Sequence, residues 1–342
     1  MAENGVIEVS YLIIGAALID LIVGDPKRLP HPVEAMGFLI DQLRRFIEHI
    51  GKDNSKILEI GGIAISIILI STSTLIGWSL ERLIFIDSYL LKVIGYLLLS
   101  FALASTIAAK SLNQSVKRIL NSLKNYSSKD SLDEARKYLS EIVGRDVKEL
   151  NQDEILRASA ESISENAVDG IFSPLFWMFI GSTFWLISES LPGPLSLALC
   201  FKSISTIDSM IGYKIGRLKW LGKSGARLDD VLVFIPCRIV VMTLPLINNS
   251  WLKFPQLVKS AWLEGSKDIS PNSGLSEAIF SHCCEIRMGG ENFYNNKVIH
   301  KPILGGQYQI PDIEGVNRLM IAIIKLEVAW LISFLIFFLY QS

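Results

Sequence analysis

Apolar residues along this chain are grouped into runs long enough to cross a lipid bilayer. Residues 60–80 and residues 170–188 contain no charged residue, and residues 319–340 are interrupted only by Lys325 and Glu327. A helix of about 20 apolar residues crosses a hydrocarbon core about 30 Å thick. These three runs therefore predict membrane-spanning helices.

Four further apolar runs carry ionisable residues or proline, and they cover residues 9–23, 89–109, 191–210 and 231–247. An ionisable residue inside a span costs about 2.5–3.5 kcal/mol or more, so we expect Lys202 and Asp208 to face a polar cavity or each other. A structural ion pair between helices is the alternative. The full set of runs predicts an all-α polytopic membrane protein of about six to eight membrane segments, with residues 1–342 forming one membrane-embedded domain.

Lys and Arg in the loops predict the orientation. Residues 24–56 contain six, residues 110–170 contain ten and residues 212–230 contain five, whereas residues 188–194 contain none. The positive-inside rule places the basic loops in the cytoplasm and the N-terminus outside a cell membrane, the inner or plasma membrane.

The segment 231–247 breaks this pattern. A full crossing there would place residues 251–318, with seven basic residues, outside. The segment also contains Pro236, Arg238 and Pro245, and irregular backbone at membrane depth persists only where protein or water satisfies it. We therefore expect this segment to be re-entrant or to line a cavity.

A cytoplasmic helical segment is predicted over residues 110–169. Asn151 followed by Glu154 is a capping-box pattern, and Gly170 before Ser173-Pro174 is a stop signal, so residues 152–168 are expected to form a helix. The helices of residues 110–168 should form an amphipathic layer that caps the site.

Three carboxylates share one face of the helix predicted at residues 152–168. Glu161, Glu165 and Asp169 are spaced at i, i+4 and i+8 and lead directly into the apolar run at residue 170. A solvated acidic face is the plain interpretation. Because like charges at the mouth of a span repel one another, a divalent cation is the simplest partner that would make this cluster favourable.

Composition and charge exclude several classes of protein. Half of the residues are apolar, 20% are charged, and 34 acidic residues balance 33 basic ones. This disfavours a soluble enzyme, a disordered chain and a nucleic-acid-binding protein, which needs a basic field. Four cysteines cannot form a disulfide framework in so long a chain. The first ten residues lack Lys and Arg, so the first apolar run is expected to be retained rather than cleaved as a signal peptide.

Two patterns imitate known sites. Residues 216–224 read G-x5-G-K-S, which is one residue too long for a phosphate loop and follows no buried strand. We expect Lys223 and Ser224 to lie on a solvated cytoplasmic loop. His282-Cys283-Cys284 lacks a second Cys/His pair at zinc-finger spacing, so a zinc site is not expected.

Ordered blocks of residues between positions 20 and 290 resemble the CbiB/CobD family of cobalamin-biosynthesis proteins. The blocks are Asp20-x4-Asp25-Pro26, His31-Pro32-Val33 with Gly37, Val143-Gly144-Arg145-Asp146, Arg157-Ala158, Glu161-Ser162-x2-Glu165-Asn166-x2-Asp169-Gly170, Pro174-Leu175-Phe176, Thr206 to Lys214, Ala226-Arg227-Leu228-Asp229-Asp230, Ile235-Pro236-x-Arg238, Ser270 to Gly274, Glu277-Ala278 and Arg287-Met288-Gly289-Gly290. Their order and spacing together are specific, although no single block is.

The resemblance implies an adenosylcobinamide-phosphate synthase, a polytopic membrane ligase. Such an enzyme joins a corrinoid carboxyl to aminopropanol or aminopropanol phosphate, with ATP as substrate and Mg²⁺ as cofactor. Membrane lipid is the surrounding partner, and a homo-oligomer or contact with other membrane enzymes of late cobalamin assembly fits the same picture. The sequence departs from the family at Val233 and Cys237, which affects the surroundings of Arg238.

Roles for individual residues follow from this chemistry. Amide formation needs an activated acyl group, hence Mg²⁺ on ATP and cations that hold developing charge. We assign the metal to Glu161, Glu165 and Asp169, with Asp229 and Asp230 as a second metal shell. Lys214, Arg227 and Arg238 are the candidate phosphate clamps, and Asp25 and His31 are candidates to hold or deprotonate the amine. The candidate substrate contacts are Arg145, Asp146, Asn166, Asp208, Tyr213, Asn272 and Arg287.

Two other functions remain open at this point. A polytopic transporter would also place Lys202 and Asp208 at mid-membrane, but it would predict internal repeats, and none is apparent. A Mg²⁺-dependent membrane alcohol phosphotransferase or a prenyltransferase would share Asp clusters, but it needs a repeated acidic motif on two facing helices. Consumption of ATP separates the three.

Overall fold

The computed structural model describes residues 3–24, 31–124, 129–248, 251–294 and 297–341. Within these ranges the fold is helical with one small hairpin. The helices are α1 (Glu3–Ile22), α2 (Pro32–Gly51), α3 (Ser55–Glu81), α4 (Tyr89–Ala104), α5 (Ala109–Lys124), α6 (Lys129–Ser140), α7 (Gln152–Ala167), α8 (Ser173–Ile187), α9 (Pro194–Ile211), α10 (Leu218–Leu221), α11 (Lys223–Asn248), α12 (Phe254–Gly265), α13 (Ser273–Cys284) and α14 (Ile313–Gln341). Short helical turns cover Arg82–Phe85, Val168–Phe172 and Trp251–Lys253, and the strands are β1 (Met288–Tyr294) and β2 (Lys297–Leu304).

Five helical stretches of the described chain are long and apolar enough to cross a membrane. They are Ser55–Phe85, Tyr89–Lys124, Gln152–Ile187, Lys223–Asn248 and Ile313–Gln341, and Tyr11–Ile22 is a shorter apolar helix. The run predicted at residues 191–210 is also helical, as α9, although it is not among the five. The chain is therefore an all-α polytopic membrane protein, as predicted.

The expectation that residues 231–247 are re-entrant is wrong. Helix α11 is continuous from Lys223 to Asn248, with Pro236 and Pro245 inside it. In apolar surroundings a broken helix would leave backbone groups without partners, and this costs more than the one hydrogen bond that each proline removes.

The stop signal at residue 170 does not end the helix either. The capping box at Asn151 and Glu154 is present and α7 begins there, as predicted. After α7, a π-helical turn at Val168–Phe172 leads into α8, so the stretch remains helical to Ile187. Pro174 lies in the first turn of α8, where its missing N–H is tolerated.

The chain packs as two compact units, whereas the sequence predicts one domain. The first unit contains residues 1–108, 173–233 and 331–342. In it, α3 packs against α9. The carboxylate of Glu81, at the end of α3, accepts hydrogen bonds from the N–H of Gly193 (2.8 Å), the N–H of Ser196 (2.9 Å) and the Ser196 hydroxyl (2.6 Å). A buried carboxylate thus caps the N-terminus of α9.

The second unit contains residues 109–172 and 234–330. Every residue of α13 is buried, with α7, α12 and the hairpin packed around it. The hairpin is antiparallel, with a register shift between Met288 and Gly290, and the sequence analysis does not predict it. The predicted amphipathic layer forms α5, α6 and α7, and all three belong to this unit.

Two basic segments meet inside the second unit. The N–H of Asp146 donates to the carbonyl of Phe293 at 2.8 Å, and Arg145 donates to Asn292 at 2.6 Å. A bilayer cannot separate residues in direct hydrogen bonding. The loop around residue 145 and the hairpin therefore lie on the same side of the membrane.

Candidate functional site

The two units divide the predicted site residues between them. The second unit holds Arg145, Asp146, Glu161, Glu165, Asn166, Asp169, Arg238, Asn272 and Arg287, and the first holds His31, Asp208, Tyr213, Lys214, Arg227, Asp229 and Asp230. Asp25 lies outside the described residues.

Glu161 is the centre of a buried charge cluster, by which we mean Arg145, Arg157, Glu161, Glu277 and Lys301. The side chain of Glu161 is 1% exposed, and its Oε2 accepts from Arg145 at 2.5 Å. Its Oε1 accepts from the N–H of Gly289 at 2.8 Å and lies 3.6 Å from Arg157. Both carboxylate oxygens therefore already have donors from the protein.

The hairpin is shaped to reach this cluster. Gly289 has φ of +81°, and a Cβ there would lie 1.9 Å from the carbonyl oxygen of Pro302, so only glycine can present its N–H to Glu161. Arg157 donates to the carbonyls of Gly289 and Glu291, the latter at 2.8 Å. The hairpin is thus held against α7 by charged side chains rather than by apolar packing alone.

Glu277 and Lys301 form the second ion pair of the cluster. Lys301 Nζ lies 2.7 Å from Glu277 Oε1, and the Glu277 side chain is 1% exposed. Glu277 Oε2 has no hydrogen-bond partner among the described residues, and neither has Asn292 Nδ2. A buried acceptor and a buried donor are therefore unused beside this cluster, which is unusual in a folded interior.

Electrostatics in the cluster follow from burial and pairing. Burial raises the pKa of Glu277 to about 8, and the nearby charge of Lys301 only partly offsets this. Burial alone would lower the pKa of Lys301, but Glu277, Glu165 and Glu161 raise it above its ordinary value. Glu161 likewise raises the pKa of Arg145 against the effect of burial. Arg145 and Lys301 are therefore held charged, whereas burial opposes the ionisation of Glu277.

The predicted three-carboxylate metal site does not fit this geometry. Among the described residues, no three His, Cys, Asp or Glu side chains are grouped so that they could hold a metal ion. Glu161 is committed to Arg145 and to the N–H of Gly289. A guanidinium, rather than a divalent cation, supplies its positive partner.

Arg238 and Asn272 contact each other, as two members of the predicted site should. The Arg238 guanidinium donates to Asn272 Oδ1 at 2.5 Å, to the carbonyl of Pro271 at 2.9 Å and to the carbonyl of Phe234 at 3.2 Å. It also lies 3.5 Å from the centre of the Phe234 ring. These bonds tie α11 to the start of α13, and they leave Arg238 Nε without a hydrogen-bond partner among the described residues.

Other predicted contacts in the second unit line cavities or support helices. Arg287 lines a cavity of about 770 Å³ together with Tyr308, and Arg145 and Asp146 line another of about 650 Å³. Asn166 donates to Ser162 at 2.9 Å on the same helix.

The predicted residues of the first unit lie at the start of α2, on α9 and α11 and on the segment that follows α9, and the charge of Lys214 acts on Asp230. His31 is the N-cap of α2, where Nδ1 accepts from the N–H of Val33 at 3.3 Å. Asp208 packs over Gly212, so closely that a Cβ there would lie 2.0 Å from its Oδ1. The remaining residues are Tyr213, Lys214 and Arg227, which are exposed, and Asp229 and Asp230, which are partly buried on α11.

The residues that imitate a phosphate loop pack against neighbouring helices. A Cβ on Gly222 would lie 1.8 Å from the carbonyl oxygen of Ile211. Lys223 pairs with Glu59 at 2.5 Å, and Ser224 shares a hydrogen bond of 3.0 Å with Ser66. The expectation of a solvated loop is wrong, because Lys223 and Ser224 begin α11 and contact α3.

His282, Cys283 and Cys284 are buried on α13. His282 Nε2 lies 2.9 Å from Glu264, and burial raises the pKa of Cys284 to about 12. Thiols of this kind are packing residues rather than metal ligands.

Sequence reasoning missed several members of the cluster. Arg157 precedes Glu161 by four residues, which is an ion-pair spacing on a helix and a usable signal. Glu277 and Lys301 are 24 residues apart in sequence, and no local sequence pattern predicts their pairing. Asn292 becomes visible only once the hairpin is known.

Comparison with known proteins gives a consistent result. A family model described as CobD/Cbib protein matches residues 13–320. A cobalamin biosynthesis protein CobD from Synechocystis is 36% identical over 296 residues, covering 86% of this chain and 82% of that protein. A CobD from Geobacter metallireducens is 33% identical over 325 residues, 92% of each chain. The cobalamin biosynthesis protein CbiB of Salmonella typhimurium is 30% identical over 326 residues, 93% of this chain and 95% of that protein. No solved structure matches.

Proposed function

The chain belongs to the CobD/CbiB family and takes part in cobalamin biosynthesis, and on this premise we propose that it is an ATP-dependent amide ligase. Its substrates are adenosylcobyric acid and aminopropanol or aminopropanol phosphate, and its product is adenosylcobinamide or its phosphate. The observation that carries the proposal is the family match over residues 13–320, nearly the whole chain.

The reaction sets clear demands on the protein. A carboxylate must first take a phosphoryl group from ATP, after which the amine nitrogen attacks the acyl carbon. The C–N bond forms, phosphate leaves and the amine gives up a proton. Mg²⁺ enters with ATP as part of the nucleotide substrate and neutralises phosphate charge. The protein must supply fixed cations and a group that accepts the proton.

The buried charge cluster supports this assignment without metal ligation by Glu161. Arg145, Arg157 and Lys301 are fixed cations in the second unit, and Arg145 lines a cavity. Fixed cations cost no reorganisation when charge develops in a transition state. In this proposal the cavity beside Arg145 and Asp146 receives an anionic part of a substrate.

We place this cavity on the cytoplasmic side. The loop at residues 110–150 and the hairpin lie on one side of the membrane, and residues 110–150 contain nine Lys and Arg. The positive-inside rule puts such segments in the cytoplasm, where ATP is available. Lys214 and Arg227 are exposed, and they remain the candidates for contact with the nucleotide.

The test is product identification. The purified protein is incubated with adenosylcobyric acid, ATP, Mg²⁺ and either aminopropanol or aminopropanol phosphate, and the corrinoid is analysed by mass. We expect a mass increase equal to the amine minus water, with ATP consumed and no product when ATP is omitted. A matched variant, Arg145→Ala, should lose product formation, while Arg118→Ala should keep it. Corrinoid of unchanged mass with both amines, from folded protein, would overturn the proposal.

A further inference from the structure

The outer face of α12 has an unusual composition for a helix at the edge of a folded unit. From Trp251 to Lys267 the exposed positions are Trp251, Leu252, Lys253, Pro255, Gln256, Lys259, Trp262, Leu263, Ser266 and Lys267. Four of them are large apolar residues between 48% and 73% exposed. Three are lysines and none is acidic.

The opposite face of the same helix is packed. Leu257, Ala261 and Gly265 are buried, and α12 packs against α13. Glu264, the acidic residue of α12, is turned inward to His282 and to the N–H of Gly305. The helix therefore has a fixed rotation, and its Trp, Leu and Lys side chains face outward as a consequence of that packing.

This face continues an apolar stripe of α11. Phe234, Ile235, Met242 and Leu246 are between 47% and 53% exposed on α11, which is long and apolar enough to span a membrane. Trp262 lies 5.9 Å from the Arg238 guanidinium, so α12 is beside this stripe. Trp251 follows the last residue of α11 by three positions, a reach of at most about 11 Å.

We propose that the outer face of α12, with the turn at Trp251–Lys253, contacts the bilayer and that its lysines bind the headgroups of anionic lipid. Tryptophan is favoured at the boundary between acyl chains and water, where its ring is apolar and its N–H is polar. Lysine stems lie along apolar surface while the ammonium reaches phosphate. Lys253 lies 3.9 Å from the exposed Glu285, so Lys259 and Lys267 are the lysines of this face that complement an anionic surface.

Spin labelling of the full-length protein in lipid nanodiscs tests this contact. The labelled sites are Leu263→Cys and Leu252→Cys, and the matched water-exposed control is Val298→Cys on the hairpin, where the native side chain is 47% exposed. Protein without an added cysteine controls for labelling of the native thiols. Collision with oxygen, which concentrates in lipid, is compared with collision with a water-soluble nickel chelate.

We expect the oxygen-to-nickel collision ratio at residues 263 and 252 to be several-fold higher than at residue 298. An equal ratio at all three sites would mean that the face is in water and would overturn the proposal. Protection from both reagents at residues 263 and 252 would mean that a protein covers the face, which also overturns it.

The lysines are tested in nanodiscs of phosphatidylcholine with and without phosphatidylglycerol. The anionic lipid should raise the ratio at residue 263, and the double variant Lys259→Gln/Lys267→Gln should lose this increase. No dependence on anionic lipid would refute the electrostatic part of the proposal. The outcome is independent of ligase activity, so it stands apart from the proposed function.

Discussion

Two buried glutamates, one in each unit, show that burial of a carboxylate serves different ends. Glu81 accepts from two backbone N–H groups and one hydroxyl at the start of α9, and all three donors are neutral. Glu161 accepts from one backbone N–H and pairs with Arg145. A helix N-terminus satisfies the first, whereas the second requires a full positive charge.

Glu81 and Glu161 differ in whether the buried carboxylate supports a helix or belongs to a charged cluster. The Glu81 carboxylate accepts from neutral donors and closes a helix end. The buried charge cluster holds the cations of Arg145, Arg157 and Lys301 beside the carboxylates of Glu161 and Glu277, and it keeps fixed charge in a low-dielectric interior, where electrostatic effects on a substrate are strong. We therefore assign the fixed charge of the reaction to the second unit, while Lys214 and Arg227 of the first unit remain the candidates for contact with the nucleotide.

Breaking the charged pair should have the largest effect. Arg145→Ala leaves Glu161 buried with only the more distant Arg157 as a cation, and it also removes the donor to Asn292. Loss of one partner of a buried pair costs about 3–5 kcal/mol. We expect a large fall in the thermal unfolding midpoint in detergent.

The control for Arg145→Ala is Arg118→Ala. Arg118 pairs with Glu141 at 3.1 Å, with side chains 47% and 43% exposed, so its loss should cost no more than about 1 kcal/mol. Equal midpoints for the two variants would show that the buried pair contributes no more than a surface pair.

Removing the Glu81 cap at the start of α9 should lower the free energy of unfolding by less than Arg145→Ala does. Glu81→Ala leaves the N–H groups of Gly193 and Ser196 without an acceptor, for about 1–3 kcal/mol. Ser196→Ala removes only the hydroxyl donor, for about 0.5–1.5 kcal/mol. Product formed per folded molecule should be unchanged in both. If Glu81→Ala abolished activity in protein that remains folded, the assignment of Glu81 to the scaffold would fail.

Much of the fold was predictable, because each apolar run has to satisfy its own backbone as a helix. The seven runs are helical, and the capping box at Asn151 marks the start of α7. The prolines of residues 231–247 suggested an irregular backbone there. The segment is a continuous helix, because unpaired backbone groups in an apolar region cost more than the hydrogen bonds that the prolines remove.

The site was predictable only in part. The spacing of Glu161, Glu165 and Asp169 predicts a charged helix face that binds a metal ion, whereas Glu161 is paired with Arg145. A cation from the loop at residue 145 and an N–H from Gly289 satisfy this carboxylate. Both come from segments distant in sequence, and their approach depends on tertiary packing and on a hairpin with no strong local signal.

A third buried glutamate, Glu277, should make the stability of the second unit depend on pH. Burial raises the pKa of Glu277 to about 8, above its unfolded value near 4.3. The folded state therefore binds the proton more tightly, so this contribution to stability is present at low pH and is lost as pH rises toward 8. Lys301, whose pKa is raised, stays charged throughout.

We expect the free energy of unfolding to fall as pH rises from about 5 to about 8, between the unfolded and folded pKa values of Glu277, with a slope of at most about 1.4 kcal/mol per pH unit from this group. Glu277→Gln, which keeps the shape and cannot ionise, should flatten the slope. An unchanged slope in Glu277→Gln would assign the pH dependence to other groups.

The smallest effect on stability is expected for the partly exposed ion pair of Lys223 and Glu59. Glu59 pairs with Lys223 at 2.5 Å, with side chains 37% and 32% exposed, so Lys223→Ala should cost about 0–1 kcal/mol and leave turnover close to normal. In a true phosphate loop the same lysine would contact the phosphates of ATP, and its loss would greatly reduce turnover.

Arg227→Lys is the matched variant, because it keeps the charge but loses the bidentate fork of a phosphate clamp. Measured as ATP-dependent product formation under identical conditions, Arg227→Lys should be the more damaged of the two. If Lys223→Ala is damaged more, residues 216–224 are the nucleotide site and Glu59 is part of its support rather than a surface partner.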